Sequence, residues 1–94
     1  MIYCFDLDGV LVTETKTGDY SDSQPIPDAI SKLREFYDDH TIIIHTARSY
    51  DWLGHTQKQL SEFDIPHDLL VMAKPKADYY IDDRAINSED WLAG

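Results

Sequence analysis

Apolar residues fall in short runs that alternate with longer stretches of helical spacing. The first run, Met1–Asp6, holds Ile2, Cys4 and Phe5 with no charge before Asp6, the pattern of a strand covered on both faces. Residues 13–24 (TETKTGDYSDSQ) are polar and turn-rich, and predict an exposed loop or flap. Pro27 suits the first position of a helix carrying Ile30, Leu33 and Phe36/Tyr37 on one face. A second strand, Thr41–Thr46, contains Ile42, Ile43 and Ile44. The helix after it runs from about Asp51 to Phe63, with Trp52, Leu53, Thr56, Leu60 and Phe63 on one stripe. A third strand is predicted at Leu69–Met72, a short turn or helix around Pro75–Asp78, and a fourth strand at Tyr79–Asp82. Ser88–Ala93 forms a last helical turn, with Trp91 and Leu92 packing down. Alternation of this kind predicts βαβ units: a small doubly wound parallel α/β sheet, its right-handed crossovers placing helices on both faces.

Length and composition narrow the choice. Ninety-four residues, 43% hydrophobic and 12% aromatic, predict one domain over 1–94, with no room for a second domain to enclose a substrate. The formal charge is −10, from 18 acidic and 8 basic residues, which disfavours nucleic acid and anionic membrane surfaces as partners. No apolar stretch approaches the about 20 residues that span a bilayer. Met1–Val12 carries two aspartates and no basic residue, unlike a signal peptide, so the cytoplasm is the expected location. The single cysteine, Cys4, excludes an internal disulfide and a Cys-based zinc site, and reads as a small buried hydrophobe. Nothing in the composition fixes an oligomeric state.

The acidic excess is mostly aspartate, 14 Asp against 4 Glu, and several of these stand at strand ends. The four predicted strands end in Asp6-Leu7-Asp8-Gly9, Thr46-Ala47-Arg48, Ala73-Lys74 and Asp82-Asp83. In open α/β sheets the carboxyl edge is where ligands bind. One such aspartate is usually a turn former. Four carboxylates gathered at one edge need a cation to hold them.

Phe5-Asp6-Leu7-Asp8-Gly9-Val10-Leu11 resembles the first motif of the haloacid dehalogenase superfamily. Ile42–Thr46 resembles its second motif, and Lys74 and Asp82-Asp83 look like its third and fourth. Lys74–Ala85 (KPKADYYIDDRA) is also similar to the end of small capless phosphatases of that superfamily encoded with capsule and surface-polysaccharide genes, and Ile81-Asp82-Asp83-Arg84 to the last motif of its deoxyribonucleotidases.

The resemblance implies a capless domain with sheet order 3-2-1-4, in which Asp6/Asp8 and Asp82/Asp83 meet where strands 1 and 4 adjoin. It implies a Mg²⁺-dependent phosphatase that hydrolyses a small phosphate ester, a sugar- or polyol-phosphate of polysaccharide precursor synthesis. A nucleotide phosphatase and a catalytically idle Mg²⁺-binding module are the alternatives. By the same resemblance Asp6 is the nucleophile, forming an aspartyl-phosphate, and Asp8 is the acid and then the base. Asp6, the Asp8 carbonyl, Asp82 and Asp83 hold Mg²⁺, with Asp83 favoured as the direct ligand of the last two. Thr46 and Lys74 bind the phosphoryl group, beside Ala47. Arg48 and Arg84 either touch a second anionic group of the substrate or pair with local carboxylates. Lys74 is preferred over Lys76 because Pro75 suits the start of a helical turn, making Lys74 its N-cap and turning Lys76 to solvent. His45 reads as packed within its strand. His40, His55 and His67 lack metal-ligand spacing.

Overall fold

The computed structural model describes every residue from Met1 to Gly94. Three parallel strands, β1 (Ile2–Asp6), β2 (Thr41–His45) and β3 (Leu69–Val71), form a sheet with β2 in the middle. Helices α1 (Pro27–Asp39) and α2 (Leu53–Glu62) connect them, and a short α3 (Ser88–Ala93) follows. The chain is thus a small α/β domain. No helix is long and apolar enough to cross a membrane.

Local chemistry explains the helix limits. Pro27 occupies the first turn of α1, where its missing N–H costs nothing, and His40 leaves the helix in extended conformation. At the end of α2, Asp64 takes a left-handed φ of 56°. The Asp64 N–H then donates to the Ser61 carbonyl at 3.2 Å and the Ile65 N–H to Leu60 at 2.9 Å, which satisfies the last carbonyls of the helix. The α3 start is capped by Asn87, whose side chain accepts from the Glu89 N–H at 2.9 Å.

The register divides the sheet into two unlike faces. Tyr3 pairs with Ile42, and Phe5 with Ile44 and so with Leu70. This face holds the core, where Phe5, Ile42 and Ile44 pack with Ala29, Ile30 and Leu33 of α1 and Leu60 of α2. Each fully buried aliphatic or aromatic side chain of this kind contributes about 1.5–3 kcal/mol. The opposite face carries Ile2, Cys4, Ile43, His45, Leu69 and Val71, none of them buried.

The expected double winding is therefore corrected: helices cover one face only. Both crossovers step in the same direction, β1 to β2 to β3, and right-handed connections then place α1 and α2 on the same side. Only a return past β1 would put a helix on the other side. Cys4, expected in the interior, is exposed on that open face.

The fourth strand is not formed at Tyr79–Asp82, so β1 pairs with β2 alone and the observed order is 3-2-1. Tyr80 closes a local loop instead. Its hydroxyl donates to the Pro75 carbonyl and accepts from the Ala77 N–H at 3.2 Å, while the Lys74 ammonium lies 4.1 Å from its ring centre. Tyr79 and Ile81 stay exposed. No helical turn follows Pro75 either, and Lys74 is not an N-cap.

Candidate active site

β1 ends at Asp6, which is half-buried and accepts the Leu7 N–H on Oδ1 at 2.9 Å. The chain then reverses tightly. The Leu7 carbonyl accepts from the amides of Val10, Leu11 and Val12, and the Gly9 N–H donates to Val12 at 2.7 Å. Gly9 has φ of +84°, a conformation that other residues adopt only with strain. This turn presents Asp8 to the end of β2, on which Thr46 and Arg48 follow.

Three hydrogen bonds from two residues hold Asp8. Arg48 Nε donates to Oδ2 at 3.1 Å and Nη2 to Oδ1 at 2.8 Å, a two-pronged pair, and the Thr46 hydroxyl donates to Oδ2 at 3.2 Å. The Arg48 side chain is 0% exposed and that of Asp8 is 15% exposed. Arg48 Nη1 donates to Thr56 Oγ1 at 3.1 Å and to Gln59 Oε1 at 2.7 Å. Gln59 Nε2 in turn donates to the Tyr20 carbonyl at 2.7 Å, and the guanidinium stands 4.4 Å from the Tyr20 ring centre. Tyr20 opens a 3₁₀ turn, Tyr20–Asp22, in the flap, whose stem is closed by Thr13 N–H to Gln24 O at 2.8 Å and Ile26 N–H to Leu11 O at 2.9 Å.

β3 delivers Lys74 through Ala73, which takes a left-handed φ of 61°. The Ala73 N–H donates to Arg48 O at 2.9 Å and the Lys74 N–H to Thr46 O at 2.8 Å, tying the exits of β2 and β3 together. Lys74 Nζ lies 3.4 Å from His45 Nε2. Burial first, and then the Lys74 ammonium, hold the His45 imidazole below its usual pKa, with Asp6 opposing. A cleft of about 840 Å³ lies beside β1 and is lined by Asp6, His45, Lys74, Tyr80, Asp82 and Arg84 among others.

Several expected site residues therefore share one cleft: Asp6, Lys74, Asp82 and Arg84. Lys76 is exposed. Others stand apart. Arg48 is not at a substrate surface, because it is wholly enclosed and committed to Asp8, Thr56 and Gln59. Thr46 is buried with its hydroxyl proton directed at Asp8, and Ala47 is exposed. Asp82 Oδ1 accepts the Arg84 N–H at 2.8 Å, and Asp83 is exposed. No three of the His, Cys, Asp and Glu side chains gather into a metal-ligating group. Of the four expected carboxylates, Asp6 and Asp82 line the cleft, whereas Asp8 is bound to Arg48 and, like Asp83, is not among the lining residues. Sequence reading missed the role of Gln59. A polar residue inside the buried side of α2 was its signal, because such a group needs a partner.

No known family profile matches the chain, and no curated protein matches it. Two solved structures are similar. A Vibrio cholerae protein solved as an MCSG target superposes with a TM-score of 0.82 and 25% identity, over 99% of this chain and 88% of its own. A chain of a Pnkp1/Rnl/Hen1 complex superposes with a TM-score of 0.66 and 23% identity over 97% of this chain, which spans 33% of its length. Both share the fold.

Proposed function

We propose that this chain is a capless phosphatase of the haloacid dehalogenase type, cleaving a small phosphate ester through an aspartyl-phosphate on Asp6. The observation that carries the reading is the convergence of Asp6 and Lys74 on one cleft, with Asp8 held two residues on by the Gly9 turn. Lys74 and Arg84 attract the phosphate, and the Lys74 ammonium reduces its repulsion of the Asp6 carboxylate. An Asp6 oxygen attacks phosphorus, the ester P–O bond breaks, and the leaving alkoxide takes a proton from Asp8, which enters this step as the neutral carboxylic acid. Asp8 then takes a proton from water, whose oxygen attacks the aspartyl-phosphate. Inorganic phosphate leaves, and both aspartates are restored.

The residue types of Asp6, Asp8, Asp82 and Asp83 suit Mg²⁺, which would supply positive charge to the transferring group. Gathering them requires the Tyr79–Asp83 segment to dock on the unpaired edge of β1, giving the order 3-2-1-4. The similarity of Lys74–Ala85 to small phosphatases encoded with surface-polysaccharide genes supports a small sugar- or polyol-phosphate as the substrate, and the acidic chain with one cysteine suits the cytoplasm. Asp6→Asn tests the reading: turnover of phosphate esters falls about 10⁴-fold or more, with the melting temperature preserved. Near-normal activity in that variant overturns it.

A further inference from the structure

We propose that Arg48 is a positioning residue, which fixes the Asp8 carboxylate in its working orientation and ties it to the flap. The inference rests on the phosphatase reading. A guanidinium without any exposed surface is costly to bury unless its donors are met. Here Nε, both Nη1 protons and one Nη2 proton are met, so four of the five N–H groups have partners. Two of those bonds go to Asp8, and they engage both of its oxygens. The fork defines the plane of the carboxylate as well as its place, which a lysine ammonium on a flexible stem does not do. From behind, Thr56 and Gln59 of α2 hold the same guanidinium. Gln59 and the Tyr20 ring connect it to the flap, so the flap and the Asp8 carboxylate are braced by one buried cation. Neither Arg48 nor Asp8 is among the residues lining the cleft beside Asp6, so Arg48 acts on the reaction only by setting how Asp8 stands.

Proton transfer by Asp8 matters most when the leaving group is a poor one, and this sets the test. Arg48→Lys keeps the charge and loses the fork. The rates compared are those on glycerol phosphate, an alkyl ester, and p-nitrophenyl phosphate, whose leaving group needs little protonation. For a group whose proton transfer is worth about 10²–10⁴-fold, kcat on the alkyl ester falls about 30-fold, kcat on the aryl ester within about threefold, and KM stays within about twofold. In an Asp8→Ala background the same change adds nothing on the alkyl ester, because Arg48 then has nothing to position. Gln59→Leu, which loosens Arg48 without touching Asp8, shifts the same ratio in the same direction, and it serves if Arg48→Lys fails to fold. Equal losses on both esters, or a full loss added to Asp8→Ala, make Arg48 merely structural and overturn the inference. Absence of turnover on both esters in the unaltered protein, or survival of turnover in Asp6→Asn, instead brings down the phosphatase reading, and the inference with it.

Discussion

Asp6-Leu7-Asp8 and Asp82-Asp83 have similar composition, yet the fold treats them differently. The first pair follows a strand, turns at Gly9, and delivers Asp8 to Arg48 and Thr46. The second lies in a segment without secondary structure, where Asp82 bonds only the amide of Arg84 two residues on. The two arginines differ as sharply. Arg48 is enclosed, with partners on Asp8, Thr56 and Gln59, whereas Arg84 is exposed. A carboxylate is fixed in place by a buried partner that is itself fixed, and sequence proximity to a motif does not provide one.

The largest effect that would break this contrast comes from removing the two arginines in turn. Arg48→Ala leaves Asp8 without its counter-ion and Gln59 without its donor, at a cost of about 3 kcal/mol or more. Arg84→Ala changes stability by about 0.5 kcal/mol at most, as exposed positions do. Urea unfolding of the two variants measures both. Equal midpoint shifts would mean that the buried network is no firmer than the exposed loop.

How far these differences were legible in the sequence depends on what each residue needed. The three strands and two long helices follow from apolar spacing; β1 ends at Asp6 as expected, where a charge terminates the apolar run, and β2 ends at His45, one residue before the expected Thr46. Tyr79-Tyr80-Ile81 has strand-like composition, but composition does not reveal that the Tyr80 hydroxyl finds the Pro75 carbonyl or that its ring meets Lys74. Double winding was expected from the alternation of elements alone, whereas the side taken by each helix depends on the direction of each crossover. Arg48 stands at the carboxyl edge as expected, and of its two readings the structure shows the pairing with a local carboxylate, Asp8. The inward turn of that side chain is set by Thr56 and Gln59, which lie on another element.

A smaller effect sharpens the comparison from the exposed side. If Asp82-Asp83 joins Asp6 and Asp8 around Mg²⁺, the ion binds the closed form and stabilises the folded chain by mass action. A gain of about 1 kcal/mol raises the melting temperature by about 4–8 °C for a domain of this size. Millimolar Mg²⁺ is expected to produce that rise in the unaltered protein, EDTA to reverse it, and the Asp82→Asn/Asp83→Asn variant to lack it. A melting temperature indifferent to Mg²⁺ would leave the second pair outside the site.

The smallest expected effect concerns His45, which stands between the two regions, on β2 opposite Asp6 and 3.4 Å from Lys74. Its imidazole is held below the ordinary value of 6.5, by burial first and by the Lys74 ammonium second. The unfolded chain therefore takes up a proton at this residue before the folded chain does. Linkage then gives the sign: the contribution of His45 is fully present above about pH 6.5 and is lost as pH falls from there toward the lower folded value. Because the ring is only partly buried, water screens it and the loss is modest. Melting temperatures of the unaltered protein and of His45→Asn between pH 7.5 and 5.5 isolate the effect, since every other group is common to both. The curve of the unaltered protein falls more steeply with acid than that of the variant. Replacing Lys74 by methionine reduces the difference between them, because the second cause of the shift is then gone. Parallel curves would show that His45 takes up its proton alike in the folded and unfolded chain, and that its contact with Lys74 carries no electrostatic weight.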